Sequence, residues 1–145
     1  MAGARRGVRV RRRDEDGAAA VEFALVVIPL VLILFGIISY AYMFSVRQAL
    51  TQAAAEGARA AAVAPAGDST ERGTAAVEKA LGGFGGLDCG TASCQVSEPE
   101  ACGSAQCVTV TVSLNYGGAD GFDPFDLPLI PMPDTLSFTS SAEVN

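Results

Sequence analysis

The sequence contains no histidine among its 145 residues. Histidine is the most frequent general base in enzymes, and it commonly activates a catalytic serine or cysteine. The chain also lacks a glycine-rich phosphate-binding loop and any recognisable pairing of a nucleophile with a base. An enzymatic function is therefore not expected, and neither is a cofactor or a metal site.

Basic residues are scarce after residue 59, where Arg72 and Lys79 stand against eleven acidic residues. The first thirteen residues show the opposite bias, with six arginines and no acid. No aromatic residues or fold motif of a nucleic-acid-binding protein accompany these arginines, so no nucleic-acid partner is expected. Basic residues before a membrane span hold that end of the chain in the cytoplasm. The charges thus predict a cytoplasmic N-terminus and an extracytoplasmic C-terminal part.

The arginines precede an uncharged apolar run of twenty-four residues, 23–46, with the sequence FALVVIPLVLILFGIISYAYMFSV. At about 1.5 Å per residue a helix of this length spans about 36 Å, enough for a hydrocarbon core of about 30 Å with some tilt. A cleaved secretory signal has a shorter apolar region of about 7–15 residues. Release near Ala53–Ala55 and twin-arginine export at Arg12-Arg13 remain alternatives. The run favours a single-pass protein of the cell membrane.

The residues after the run predict an α+β domain. Helix-forming residues continue the first helix to near Pro65, and a short second helix is expected over 70–81. Alternation of apolar and polar residues predicts strands over 108–116 and 136–144, with a weaker strand at 94–97. The expected fold is thus a long N-terminal transmembrane helix that continues outside the membrane, a short second helix and a small antiparallel sheet.

Three regions follow from this reading. Residues 1–17 form a basic cytoplasmic leader, residues 18–64 the transmembrane and continuing helix, and residues 65–145 the extracytoplasmic α+β domain. Within that domain, residues 117–134 contain four prolines and are expected to form a surface loop.

The start of the apolar run carries Gly17, Ala18 and Glu22. A glutamate inside a membrane costs about 2.5–3.5 kcal/mol at mid-bilayer and requires a partner. If the chain were cut after Gly17, Ala18 would become a free ammonium and Glu22 the fifth residue. The ammonium of a neighbouring copy could then neutralise Glu22 and fix the register between packed helices. The alternative is that Glu22 lies at the level of the cytoplasmic headgroups.

A basic leader, Gly17, and Glu22 at the fifth position after it resemble the processing site of type IV prepilins. The longer stretch 17–63 resembles the TadE-like family of tight-adherence (Flp) pilus assembly proteins. The residues that carry this resemblance are Ala20-Val21-Glu22-Phe23-Ala24-Leu25, Pro29, Arg47-Gln48-Ala49-Leu50 and Ala55-Glu56-Gly57-Ala58-Arg59.

The resemblance implies a minor pseudopilin that a dedicated prepilin peptidase cuts between Gly17 and Ala18, with Glu22 acting in register and assembly. The implied partners are that peptidase, other pilins and the platform proteins of the pilus-assembly machine, with the protein held in the membrane and incorporated into a surface pilus. The alternative function is that of an unprocessed single-pass envelope protein whose outer domain binds a ligand or a partner protein.

Small residues repeat every four positions at Ala49, Ala53, Gly57 and Ala61. Such a ridge lets two helix backbones approach closely, either between copies or within one domain. Glu56 and Arg59 are three residues apart, a spacing typical of an ion pair within a helix, although an ordering contact between subunits is a second interpretation.

Four cysteines form two similar hexapeptides, Cys89–Cys94 and Cys102–Cys107. An even number of cysteines in a small extracytoplasmic domain predicts disulfides. Three pairings are conceivable, of which two local bridges are the simplest. Zinc binding is less favoured, because the four-residue spacing is wider than that of a zinc knuckle.

Overall fold

The computed structural model describes residues 11–65, 67–125, 127 and 129–144. Over these residues the chain is an α+β protein, which confirms the predicted fold class. Its elements in chain order are α1 (Arg11–Ala62), α2 (Ser69–Leu81), β1 (Ser93–Val96), β2 (Glu100–Cys102), β3 (Ala105–Asn115) and β4 (Thr135–Glu143). The chain divides into two compact units, the first ending at Ser39 and the second beginning at Tyr40.

The described part of the first unit is the N-terminal portion of α1. Its large apolar side chains from Val21 to Ile38 are exposed, except that of Val27, which is half-buried. Pro29 lies inside the helix and cannot donate to the carbonyl of Leu25. Among the described residues, one helix is long and apolar enough to cross a membrane. Its most apolar window has a mean hydropathy of 2.9, and none of that window is buried.

The second unit contains an antiparallel sheet built around β3. Strand β4 pairs with β3 along its length, from Cys107 opposite Glu143 to Asn115 opposite Thr135. The other side of β3 is shared, since β2 pairs with its first residues and β1 with its later ones. The longest strand is therefore central and holds the other three.

The core of the second unit lies between the sheet and the two helices. Alternate residues of β3 are fully buried, as the period of two predicts: Val108, Val110, Val112 and Leu114. Val46 and Leu50 of α1 and Val77 and Leu81 of α2 are equally buried. Burying each such side chain stabilises the fold by about 1.5–3 kcal/mol. The α1 segment from Tyr40 onward is therefore an integral part of the domain core.

Three details differ from the sequence-based prediction. Helix α1 begins at Arg11, inside the segment assigned to the leader, and ends at Ala62. Strand β2 was not predicted, because its three residues are all exposed and carry no apolar alternation. Met43 and Val46, in the last turn of the apolar run, are buried in the domain core. The last turn of the run therefore belongs to the domain and not to the predicted transmembrane segment.

Candidate functional site

The expected processing position lies within α1. Gly17, Ala18 and Glu22 are all exposed. Ala18 and Glu22 are four residues apart, so they lie on one face of the helix, about 6 Å apart along its axis. A Cβ added to Gly17 would meet no atom within 4 Å. The fold thus gives no packing reason for glycine here, and a requirement for glycine would have to come from recognition by another protein.

Glu22 lies at the beginning of the exposed apolar surface of α1. Its neighbours Val21, Phe23 and Leu25 are all exposed. Within the part of the chain that the structure describes, the ion pair present joins Glu56 and Arg59 and does not involve Glu22. A carboxylate at the edge of such an apolar surface gains most from a partner when that surface is covered.

The small-residue ridge is brought together in the core of the second unit. Ala53 and Ala61 have no exposed surface, and Gly57 is also buried, whereas Ala49 is half-buried. A Cβ at Gly57 would collide with the Val77 side chain and would lie 3.3 Å from the carbonyl oxygen of Gly73. The ridge therefore packs against α2 and β3 of its own domain.

Gly73 of α2 makes the same close contact from the opposite side, and it is not among the residues predicted from the sequence. A Cβ at Gly73 would lie 2.9 Å from Cγ1 of Val96 and 3.1 Å from Cβ of Ala61. A glycine inside a helix costs about 1 kcal/mol relative to alanine, so its presence within 70–81 was a signal of a packing constraint.

Glu56 and Arg59 form an exposed ion pair along α1, with 2.7 Å between Nη2 of Arg59 and Oε2 of Glu56. The hydrogen bond to Glu56 and its charge both raise the pKa of the Arg59 guanidinium. This is the intrahelical arrangement that the spacing of three residues predicted.

The cysteines form two disulfides, Cys89–Cys94 and Cys102–Cys107, which confirms the disulfide prediction. Their Cα atoms are 5.5 and 5.7 Å apart, within the usual range. Both bridges are local. The first joins the segment before β1 to β1, and the second spans the turn between β2 and β3, where Gly103 has a φ of 75°.

Asp88 orders the turn that leads into the first disulfide loop, and it too is not among the residues predicted from the sequence. Its Oδ1 accepts hydrogen bonds from the backbone of Thr91 (2.7 Å), the backbone of Gly90 (2.9 Å) and the Thr91 hydroxyl (2.9 Å). The Thr91 backbone bond, followed by the other two, lowers the pKa of the Asp88 carboxyl. An aspartate three residues before a threonine was the available signal.

Tyr116 lies at the end of β3 and is fully buried. Its hydroxyl has no hydrogen-bond partner among the described residues. Burial, followed by the charges of Asp123 and Tyr42, raises the pKa of Tyr116 to about 12. Unfolding would restore the ordinary value of about 10.

This shift predicts a loss of stability in alkali. Because the folded protein holds the phenol proton more tightly, its full contribution is present below about pH 10 and is lost as the pH rises towards about 12. Two pKa units correspond to about 2–3 kcal/mol. The Tyr116→Phe variant should be as stable as the native protein near neutral pH and should lose less stability between pH 9 and 11. Chemical denaturation of both proteins across this range measures the difference, and parallel losses would contradict it.

Residues 17–59 match the family model described as TadE-like protein. No curated protein and no solved structure matches the chain. The matched segment begins at Gly17, contains Glu22 and ends at the Glu56–Arg59 ion pair, so it covers the residues on which the predicted resemblance rests. The match associates the chain with the tight-adherence pilus and with a membrane. The match over residues 17–59 confirms the predicted resemblance of this segment to the TadE-like family.

Proposed function

We propose that this protein is a minor pseudopilin-like structural component that acts in the assembly of a tight-adherence surface pilus. The observation that carries the proposal is the TadE-like match over residues 17–59, which begins at the glycine of the processing motif and includes Glu22. The exposed apolar surface of α1 before Tyr40 supports it, because such a surface can be stored in a membrane and packed against other helices.

In this proposal the leader is cytoplasmic, α1 crosses the membrane once, and the disulfide-bonded domain lies outside. A prepilin peptidase cuts between Gly17 and Ala18. Other pilins and the platform proteins of the assembly machine are the partners of the processed protein. The protein has no catalytic role of its own. Cleavage removes six arginines and three acidic residues, so the net charge changes from −6 to −9.

The mature N-terminus tests this proposal directly. Intact-mass analysis of the protein from its native host should show a chain that starts at Ala18. Gly17→Leu should leave the full-length chain, since a large side chain would stand where the peptidase expects glycine. Because a Cβ at Gly17 meets no atom within 4 Å, this variant should fold normally.

Gly7→Leu is the matched control, with the same change ten residues earlier in the leader, and it should be processed normally. A native protein that keeps Met1–Gly17, or begins at Ala2, would reject the processed-pseudopilin mechanism. The unprocessed envelope protein with a ligand-binding or partner-binding domain would then be the better account.

A further inference from the structure

The loop of residues 117–134 is closed at its base by backbone hydrogen bonds. The amides of Tyr116 and Gly117 both donate to the carbonyl of Asp134, over 2.7 and 3.2 Å. The Asp123 amide donates to the carbonyl of Tyr116 over 2.8 Å. The two ends of the loop are therefore held together.

This loop packs against α1 at the beginning of the second unit. The Tyr40 hydroxyl donates to the carbonyl of Pro131 over 2.9 Å. The rings of Tyr42 and Phe125 meet edge to face, with 6.1 Å between their centroids. Two tyrosines of the helix thus fix the loop beside one turn of α1.

That turn lies where the apolar run passes from membrane segment to domain. Twenty residues from Phe23 to Tyr42 already span about 30 Å, the thickness of a hydrocarbon core. The following Met43 and Val46 are 7% and 0% exposed, and both belong to the domain core. Tyrosine also favours the boundary between lipid and water. In a membrane-spanning α1, Tyr40 and Tyr42 therefore lie at the outer boundary, and the loop lies there with them.

The loop exposes large apolar side chains at this level. Leu129 is 73% exposed and Phe125 is 37% exposed. Beyond Phe44, the described residues have one other exposed large apolar side chain, Val63. A single exposed leucine is ordinary on a protein surface. Two such residues in one loop, held beside Tyr40 and Tyr42 at the start of the second unit, form an exposed apolar surface at the level of these tyrosines.

We propose that the loop of residues 117–134 is a second membrane contact, in which Leu129 and Phe125 enter the headgroup region of the outer leaflet. The occupant of this surface is a zwitterionic phospholipid, because the loop sequence contains four aspartates and no basic residue. Anionic headgroups would repel it. This proposal requires only that α1 spans a membrane and does not depend on the pilus function.

The sequence has no tryptophan, so single substitutions provide clean fluorescence probes. The full chain is reconstituted in phosphatidylcholine vesicles as Leu129→Trp, with Leu34→Trp in the apolar run as the membrane control. Val63→Trp is the matched aqueous control, because Val63 and Leu129 are both 73% exposed. Val63 follows Tyr42 by twenty-one residues, which places it about 30 Å away along the direction of α1. Phe125→Trp provides a second probe of the loop.

Lipids brominated near the headgroup should quench Leu129→Trp and Phe125→Trp several-fold more than Val63→Trp, and aqueous acrylamide should show the reverse order. Phosphatidylglycerol in the vesicles should reduce the lipid quenching of Leu129→Trp. If Leu129→Trp behaves like Val63→Trp, the loop faces water and the proposal is wrong. If it is shielded from both quenchers, a second copy of the chain covers the loop, and the proposal is again wrong. Leu34 lies about 12 Å along the helix from Tyr42, so lipids brominated deep in the acyl chains should quench Leu34→Trp. Absence of that quenching would show that α1 does not span the bilayer, and the proposal would be wrong.

Discussion

Replacement of Glu22 by alanine should leave the protein inserted and processed but should strongly reduce its assembly with other pilins. In the proposed fibre the Glu22 carboxylate neutralises the Ala18 ammonium of a neighbouring chain. Removing one partner of a buried ion pair costs about 3–5 kcal/mol, because the other charge is left unpaired. A cost of about 3 kcal/mol corresponds to a roughly hundredfold loss of association. Co-purification with other pilins and counts of surface pili measure the effect.

Two further variants separate charge from size at this position. Glu22→Gln keeps the length of the side chain without its charge and should assemble with other pilins as poorly as the alanine variant. Glu22→Asp keeps the charge and should retain part of the assembly. Glu56→Ala is the matched control on the same helix. Glu56 is exposed and pairs with Arg59, so its loss should leave assembly unchanged. Normal piliation by Glu22→Ala would show that Glu22 is only an interfacial residue.

Gly57→Leu should destabilise the second unit more than any change on its surface. Even the first added carbon would collide with the Val77 side chain, and it would lie 3.3 Å from the carbonyl of Gly73 and 3.3 Å from Cγ1 of Val110. Neither the backbone of α2 at Gly73 nor strand β3 at Val110 can move away from the added side chain without disrupting the packing of the core. Overpacking of a well-filled core typically costs about 1–3 kcal/mol, and the value here should lie at or above the upper end. Chemical denaturation of the purified protein in detergent gives the difference.

Ala55→Leu controls for the added leucine. Ala55 lies on the same helix, two residues earlier, but is exposed. Leucine and alanine have similar helix propensities, so this variant should change stability by less than about 0.5 kcal/mol. Equal effects of the two substitutions would mean that α1 and α2 do not approach each other as closely as the structure shows. The ridge would then be free for contacts between subunits.

Much of the fold could be predicted because its signals are periodic or compositional. The alternation in Val108–Tyr116 indicated β3, and the glycines after Leu81 marked the end of α2. Strand β2 carries no such pattern, since it is held by the register of β3 and by a two-residue turn at Gly103. The formation of β2 depends on its pairing with β3, which cannot be predicted from the sequence of residues 100–102 alone.

The residues of the candidate site divide in the same way. Gly17 and Glu22 could be identified from the sequence because the predicted processing motif is defined by their spacing along one helix. The sequence could show that Gly57 belongs to a ridge, but both packing interpretations fit a four-residue repeat. Which of them applies depends on Val77, Gly73 and Val110, which come from elements distant in the chain. The pairing of the cysteines was open for a different reason, because four cysteines allow three pairings and their spacing alone does not choose among them.

In the proposed topology, the core of the second unit also sets an order of events during synthesis and export. It combines residues of α1, such as Leu50, with Leu136 of β4, which the ribosome makes eighty-six residues later. Each disulfide closes over a sequence separation of five, so both can form while β4 is still inside the cell. The pairing of β4 with β3 forms only after the last strand has crossed. Until then one edge of β3 is unpaired, and an unpaired strand edge is prone to aggregation.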